Sequence, residues 1–212
     1  MDEGVWHSRW QRNEIGFHEG VANALLAEHF EAAVGTPGGR VFLPLCGKTH
    51  DIGWLLAQGY RVAGAELSRL AVDQLFGELG IAPEVTNLGK ATRCSADGID
   101  IFVGDLFDLT ADMLGPVDAV YDRAALVALP ATMRGRYAAH LRQVTEAAPQ
   151  FLISFEYDQS RMDGPPFSVP DAEIRRLYGD HYALTRLVST AVAGGLKGRC
   201  PATEHVWLLR AA

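Results

Sequence analysis

The stretch Val41–Ser68 reads VFLPLCGKTHDIGWLLAQGYRVAGAELS and contains, in order, a strand, a turn, a helix, a second strand and an acidic residue. Val41–Leu45 and Arg61–Ala65 are short apolar runs of the length that buried strands have. Between them, apolar residues recur at helical spacing over His50–Gln58. Glu66 follows at the carboxyl end of the second run. The stretch therefore predicts a βαβ unit of an α/β protein, with an acid at one strand tip.

The turn of this unit and the acid beyond it predict a site for a nucleoside-type cofactor. Gly47 allows a tight turn into the helix, and Glu66 stands nineteen positions further on, where an acid can accept both hydroxyls of a ribose. A dinucleotide is disfavoured because Gly47 is the only glycine of the turn, whereas the fingerprint G-x-G-x-x-G needs three. A phosphate-binding P-loop is excluded because Phe42 stands where that motif needs its first glycine. A cofactor without phosphate, such as S-adenosylmethionine, fits this turn.

The composition is that of one acidic α/β domain covering residues 1–212. Hydrophobic residues make up 48% of the 212 residues, which is enough for a single core. The formal net charge of −7, without a basic block, disfavours nucleic acid and membranes as partners and fits a monomer. Three cysteines without C-x-x-C spacing predict a reduced, cytoplasmic compartment. Cys46 and His50 lack further ligands at suitable spacing, so no metal is predicted.

The apolar runs of the whole chain predict a Rossmann-like sheet of seven strands. The strands are expected near residues 41, 61, 100, 118, 152, 184 and 206. Helical patterns between the first five predict a mostly parallel sheet with helices on both faces. Only a loop separates the last two strands, which predicts a closing antiparallel hairpin. Residues 40–212 form this core, residues 82–93 are expected to be irregular, and residues 94–98 are expected to form a turn.

The N-terminal residues 1–36 are predicted to hold an aromatic segment and a helix over residues 19–34. Trp6, Trp10 and Phe17 fall close together, and the first two are spaced so that they share one face of a helical turn. Such a segment either pins its rings onto the core or forms a lid over a bound ligand. Both alternatives are compatible with the residues alone.

Two further strand tips carry charged residues. Asp105 follows the predicted strand Ile99–Val103, where an acid either meets an adenine amino group or caps a turn. Asp122 and Arg123 end the predicted strand Val117–Asp122. A charged pair there either points into a ligand crevice or forms a surface ion pair of little energetic weight. The apolar residues on both sides favour the crevice.

Several strings along the chain resemble one family. They are Phe42–Lys48 (FLPLCGK), Val62–Ser68 (VAGAELS), Phe107–Leu109 (FDL), Tyr121–Leu129 (YDRAALVAL) and Gly164–Phe167 (GPPF). In this order they resemble the bacterial branch of the thiopurine S-methyltransferases, a family of class I S-adenosylmethionine-dependent methyltransferases. The resemblance extends from Trp6 to Leu209. Ala124 departs from the family pattern, in which glycine often follows Asp-Arg.

The resemblance implies contacts to S-adenosylmethionine for six residues. They are Trp10, Leu45, Glu66, Asp105, Leu106 and Arg123. Trp10 would cover the cofactor, Leu45 would contact its methionine moiety, and Glu66 would hold the ribose hydroxyls. Asp105 and Leu106 would contact the adenine.

The resemblance also implies an acceptor side. Phe17 would stack on the substrate, and Arg123, the implied catalytic residue, would line the reaction crevice near cofactor and substrate. The family places a basic residue in a late loop, for which Lys197 and Arg199 are both candidates.

The reaction implied is methyl transfer from S-adenosylmethionine to a small aromatic or heterocyclic thiol, such as a thiopurine. Aromatic thiols ionise readily, so a nearby cation such as Arg123 suffices and no catalytic histidine is required. Two alternatives stay open at this stage. One keeps the cofactor and transfers the methyl group to halide, sulfide, or selenium and tellurium oxyanions. The other is a regulatory protein that binds S-adenosylmethionine without turnover.

Overall fold

The computed structural model describes residues 3–12, 14–15, 18–35 and 37–212. The chain divides into two compact units, Met1–Ala119 and Val120–Ala212. The helices of the first unit are α1 (Glu3–Gln11), α2 (Ala24–Val34), α3 (His50–Ala57), α4 (Arg69–Leu79) and α5 (Ala111–Leu114). Its strands are β1 (Arg40–Pro44), β2 (Arg61–Glu66), β3 (Glu84–Asn87), β4 (Thr92–Ala96) and β5 (Ile99–Val103).

Parallel strands form the centre of the first unit, in which the strand order is β3-β4-β5-β2-β1. Val62 of β2 pairs with Val41 of β1 on one side and with Ile99 of β5 on the other, in parallel in both cases. The side chains of β2 from Val62 to Glu66 are buried, as expected for a strand covered on both faces. The predicted βαβ unit, and with it the α/β class, is confirmed.

Helix α4 shows why the predicted boundaries of this unit hold. The hydroxyl of Ser68 accepts a hydrogen bond from the backbone N–H of Ala71 over 3.3 Å and so caps the first turn. Gly80 ends the helix with a φ of 69°, in the left-handed region. Apolar residues on one face of the helix, including Val72 and Phe76, are buried.

The prediction of seven strands is wrong, because the described residues contain nine. The two additional strands are β3 and β4, in residues 82–98, where the sequence predicted irregular chain and a turn. They pair antiparallel with each other, and β4 pairs antiparallel with β5. Only Cys94 is fully buried along the two strands. Most side chains of the two strands are partly or fully exposed. The strands therefore need no apolar run of the kind that marks a central strand, and the sequence gives no such signal for them.

The N-terminal segment is helical in two places. Helix α1 contains Trp6, which is half-buried, and Trp10, which is buried. Helix α2 begins at Ala24 rather than near residue 19, because the side chain of Asn23 accepts the N–H groups of Leu25 and Leu26.

The second unit completes the set of strands. It contains β6 (Ala119–Asp122, whose first residue closes the first unit), β7 (Gln150–Tyr157), β8 (Tyr182–Ala191) and β9 (Ala202–Ala211). Its helices are α6 (Ala131–Val144) and α7 (Asp171–Tyr178). Its strand order is β6-β7-β9-β8, with β6 and β7 parallel and β9 antiparallel to both neighbours. The predicted antiparallel hairpin at the end of the chain is confirmed. None of the helices in the described part of the chain is long and apolar enough to cross a membrane.

Candidate active site

A glycine turn, residues 45–49, joins β1 to α3 in the first unit. Leu45 and Gly47 both have positive φ, 49° and 55°. The backbone N–H of Cys46 donates to the carbonyl of Ala65 in β2 over 3.0 Å, which fixes the turn to the neighbouring strand. The left-handed region costs a non-glycine residue about 1–2 kcal/mol, so Leu45 is held there by the surrounding contacts.

Glu66 connects this turn to the end of β2. Its Oε2 accepts the N–H of Gly47 over 2.8 Å, and its Oε1 accepts the N–H of Ser68 over 2.7 Å. The side chain is buried, with 6% of its residue surface exposed. A carboxylate has about four acceptor positions, so these backbone hydrogen bonds leave acceptor capacity on Glu66 for a further donor. The ribose contact of Glu66 stays a prediction.

The electrostatics of Glu66 follow from this geometry. Burial raises the pKa of the carboxyl group above its ordinary value, since a desolvated charge is unfavourable. The N–H groups of Ser68, Gly47 and Leu67 oppose that rise by stabilising the carboxylate, but burial is the larger effect. Because burial is the larger effect, an additional hydrogen-bond donor to Glu66 would stabilise its carboxylate.

Asp105 and Leu106 lie in the same unit, next to the tip of β2. The N–H of Gly104 donates to the backbone carbonyl of Glu66 over 3.0 Å, which places Asp105 one residue beyond that contact. Asp105 Oδ1 caps a 3₁₀ turn by accepting the N–H of Phe107 over 2.9 Å, and Leu106 is buried. The capping alternative is thus present in the structure. The adenine contact of Asp105 stays a prediction.

Of the two aromatic residues predicted for the site, Trp10 is described by the structure. Trp10 is 4% exposed on α1, and α1 lies against α4. This burial agrees with a ring pinned to the core, and the covering role of Trp10 stays a prediction. Phe17 lies outside the described residues.

In the second unit, Asp122 is a completely buried acid rather than half of a surface ion pair. Its Oδ2 accepts the hydroxyl of Tyr137 over 2.7 Å, and its Oδ1 accepts the N–H of Leu126 over 3.1 Å. Burial raises the pKa of Asp122 to about 6, although both hydrogen bonds oppose the rise. Arg123 follows as a half-buried residue, and Ala124 has a φ of 64°. The anchored Asp122 and the strained Ala124 fix the backbone on both sides of Arg123.

The two late basic residues lie in the connection between β8 and β9. Lys197 and Arg199 are both exposed, and the Lys197 ammonium donates to the carbonyl of Pro165 over 2.7 Å. The next residue, Pro166, accepts the hydroxyl of Tyr157 over 2.7 Å. These contacts hold the loop at residues 164–167 against the β8–β9 connection.

Sequence reasoning missed Arg134, a buried cation of α6. Its Nη1 donates to Glu173 Oε2 over 2.6 Å and its Nε donates to the carbonyl of Leu129 over 2.9 Å. Its guanidinium also lies 5.7 Å from the ring centre of Phe167. The signal was available, because Arg134 stands three positions before the inward-facing Tyr137 on the buried stripe of α6.

Comparisons with known proteins agree with this fold. The model of the family described as thiopurine S-methyltransferase matches residues 1–206. A thiopurine S-methyltransferase of Xanthobacter autotrophicus is 62% identical over 100% of both chains. One of Teredinibacter turnerae is 51% identical, over 99% of this chain and 97% of that one.

Solved structures show the same fold at low sequence identity. A 1,6-didemethyltoxoflavin-N1-methyltransferase of Burkholderia thailandensis, crystallised with S-adenosylhomocysteine, has a TM-score of 0.67 and 16% identity, over 98% of this chain and 87% of that one. The magnesium protoporphyrin IX methyltransferase of Synechocystis, with bound S-adenosylhomocysteine, has a TM-score of 0.65 and 16% identity, over 99% and 100%.

The fold is that of the class I S-adenosylmethionine-dependent methyltransferases. Within this class, the chain belongs to the thiopurine S-methyltransferase family. The predicted family, the methyltransferase class of the enzyme and S-adenosylmethionine as its cofactor are therefore confirmed.

Proposed function

We propose that the protein methylates the sulfur of small aromatic or heterocyclic thiols, such as thiopurines. The observation that carries this acceptor class is the 62% identity, over the full length of both chains, to a relative named thiopurine S-methyltransferase. Two alternatives are less favoured. The first is methyl transfer to halide, sulfide, or selenium or tellurium oxyanions. The second is a regulatory protein that binds S-adenosylmethionine without turnover.

The first unit supplies the cofactor contacts of the proposal. S-adenosylmethionine brings a methyl group already activated on a sulfonium, so the protein contributes orientation and charge placement. Glu66 would accept the ribose hydroxyls with the acceptor capacity that its backbone hydrogen bonds leave open. Leu45 would contact the methionine moiety through the turn. Asp105 and Leu106 would contact the adenine, and Trp10 would cover the bound cofactor.

Phe17, Arg123, and Lys197 or Arg199 supply the acceptor side of the proposal. The thiol gives its proton to solvent, and Arg123 stabilises the resulting thiolate as an adjacent cation. With the cofactor bound, the thiolate would take its activated methyl group, and the carbon–sulfur bond that breaks would leave S-adenosylhomocysteine. Phe17 stacks on the acceptor ring, and Lys197 or Arg199 pairs with its polar substituents.

A turnover assay with methyl-labelled cofactor tests the acceptor class. The panel contains a thiopurine, a thiophenol, iodide, sulfide and selenite. We expect labelled thioether from the two aromatic thiols at rates well above those for the inorganic acceptors. Product from an inorganic acceptor alone would replace the proposed acceptor class, and no product from any acceptor would support the regulatory protein.

Glu66→Gln tests the ribose contact. Glutamine offers one acceptor oxygen where Glu66 provides two, so the variant loses a hydrogen bond to the Gly47 or Ser68 N–H and the charge towards the ribose. We expect the affinity for S-adenosylhomocysteine, measured by calorimetry, to fall about 10-fold or more, since hydrogen bonds to charged groups contribute about 1.5–3 kcal/mol. Asp73→Asn, on the exposed face of α4, is the control. Equal affinity of Glu66→Gln and the control would refute the ribose contact.

Arg123→Ala separates the acceptor side from the cofactor side. We expect methylation of a thiophenol to fall at least about 100-fold, because the thiolate loses its cation, while the dissociation constant of S-adenosylhomocysteine changes little. Arg161→Ala, at an exposed position of the same unit, is the control. Parallel losses of turnover and cofactor affinity would assign Arg123 to the cofactor alone.

The proposed setting is a cytoplasmic monomer that acts on small molecules and binds neither nucleic acid nor membranes. Its three cysteines, Cys46, Cys94 and Cys200, are free and buried, which fits a reducing compartment. The net charge of −7 opposes association with polyanions.

A further inference from the structure

Three potential metal ligands from distant parts of the first unit lie together beside the glycine turn. His18 follows α1, His50 is the first residue of α3, and Glu78 lies in the last turn of α4. One ligand atom from each lies within 4.8 Å of the others. The two imidazole rings have centroids 5.0 Å apart and an interplanar angle of 31°.

The ligand set selects a class of ion. Two imidazoles and one carboxylate suit divalent first-row transition metals, above all Zn²⁺, whereas Mg²⁺ and Ca²⁺ prefer oxygen ligands alone. Donor atoms around a tetrahedral Zn²⁺ are about 3.3 Å apart, given metal–ligand bonds of about 2.0–2.1 Å. To bind the ion, the Glu78 side chain and the two rings have to rotate so that their ligand atoms approach from within 4.8 Å to this spacing. Three protein ligands leave a fourth position for water.

A second contact joins the same N-terminal segment to the same end of α3. The backbone N–H of Asn23 donates to Asp51 Oδ1 over 2.7 Å, and Asp51 is 1% exposed. The two neighbouring residues at the start of α3, His50 and Asp51, therefore meet the two ends of the segment 18–23. An ion held at His18 and His50 would fix the end of this segment that is nearer to α1.

Lys48 is the competing cation at this place. Its ammonium lies 2.6 Å from Glu78 Oε1. The side chain of Lys48 is 13% exposed and that of Glu78 is 41% exposed. Lys48 holds the carboxylate near the histidines, but its charge also repels a metal ion. Glu78 Oε2 is the oxygen that a metal would take without displacing Lys48.

We propose that His18, His50 and Glu78 bind one divalent transition-metal ion of the Zn²⁺ type. The ion ties the segment after α1 to the start of α3 and so fixes α1, with Trp10, relative to the glycine turn. This proposal does not depend on the acceptor class, because its ligands and its tests are independent of methyl transfer.

Binding of Zn²⁺ to the full-length, chelator-treated protein is the first test, measured by calorimetry and by the visible absorption of Co²⁺ in the same site. We expect one ion per chain. His18→Asn and His50→Asn should each weaken binding at least tenfold, and circular dichroism should show that both variants fold. His181→Asn, at an exposed histidine of the second unit, is the matched control and should bind like the parent protein. No binding with one-to-one stoichiometry, or undiminished binding by the double variant His18→Asn/His50→Asn, overturns the site.

Lys48→Met and Glu78→Gln test whether Glu78 is a ligand of the ion. Removing the competing ammonium should raise Zn²⁺ affinity, and Glu78→Gln should lower it. An unchanged Zn²⁺ affinity of Glu78→Gln would remove Glu78 from the ligand set.

Hydrogen exchange tests whether the bound ion stabilises the N-terminal segment at residues 18–23. Zn²⁺ should slow amide exchange over residues 18–23 in the parent protein and leave it unchanged in His18→Asn. Equal exchange rates with and without bound Zn²⁺ in the parent protein would contradict this stabilisation of residues 18–23.

Discussion

Glu66 shows how one side chain combines a structural and a functional task. Its two oxygens hold the N–H groups of Gly47 and Ser68, so the acid determines the shape of the turn in which Leu45 lies. The same oxygens keep acceptor capacity for a further donor, such as a ribose hydroxyl. A substitution at this residue therefore changes the turn and the ligand contact together, which explains why an acid is suited to the position.

Ala124 occupies a position at which glycine is favourable. Its φ of 64° lies in the left-handed region, where a Cβ atom costs about 1–2 kcal/mol. We expect Ala124→Gly to raise the free energy of unfolding by about 0.5–1 kcal/mol, after the entropy that glycine gains in the unfolded chain is subtracted. The neighbouring Ala125, with a φ of −87°, is the control, and Ala125→Gly should lower stability. Urea denaturation measures the free energy of unfolding of both variants. A lower free energy of unfolding for Ala124→Gly would contradict the proposed backbone strain at Ala124.

Asp122 predicts a pH dependence of stability. Its pKa is raised from 3.8 to about 6 in the folded protein, so the folded state binds this proton more tightly than the unfolded state. The stabilisation is fully present below the unfolded value and is lost as the pH rises through about 6. Relative to Asp122→Asn, we expect the parent protein to lose about 1.5 kcal/mol of unfolding free energy between pH 5 and pH 8. Urea denaturation at several pH values measures this difference, and parallel profiles of the two proteins would contradict it.

At the scale of elements, Arg134 joins α6 to the segment around α7. Its guanidinium holds Glu173 of α7, and it also donates to the carbonyl of Ser168 over 3.2 Å. With Lys197 on Pro165 and Tyr157 on Pro166, this segment is fixed from several sides. The loop at residues 164–167 is therefore a positioned part of the second unit.

Arg134→Met should destabilise the protein by about 3 kcal/mol. The change leaves Glu173, whose side chain is 16% exposed, and two backbone carbonyls without their buried donor. Arg176 also pairs with Glu173, over 3.4 Å, but its side chain is 62% exposed. Arg176→Ala is therefore the matched control, with an expected loss of less than about 1 kcal/mol. Urea denaturation distinguishes the two, and equal effects would show that Arg134 is not the anchor of this segment.

At the scale of the molecule, the sequence predicts one domain, although the chain divides into two compact units. A single domain should unfold in one transition in which far-UV circular dichroism and tryptophan fluorescence coincide. Both units contribute to the fluorescence, since Trp54 lies in the first and Trp207 in the second. Light scattering should give a mass near 23.0 kDa, as expected for a monomer. Two separate transitions would contradict the single domain, and twice that mass would contradict the monomer.

The sequence by itself determined the βαβ unit, the acid at its tip and the family. Each is encoded locally: apolar runs specify buried strands, Ser68 and Gly80 specify helix ends, and Glu66 follows directly from its strand. The additional strands β3 and β4 could not be predicted in this way, because their stability comes from pairing with β5 rather than from an apolar run of their own.

Only the tertiary structure decided which polar residues meet. Asp122 was predicted at a strand tip, but its burial against Tyr137 depends on how α6 packs on that tip. His18, His50 and Glu78 are separated by tens of residues, and no spacing rule connects them. Chain folding brings such groups together at no fixed sequence distance. Local patterns therefore predict the elements and the residues at their ends, whereas contacts between elements have to be read from the structure.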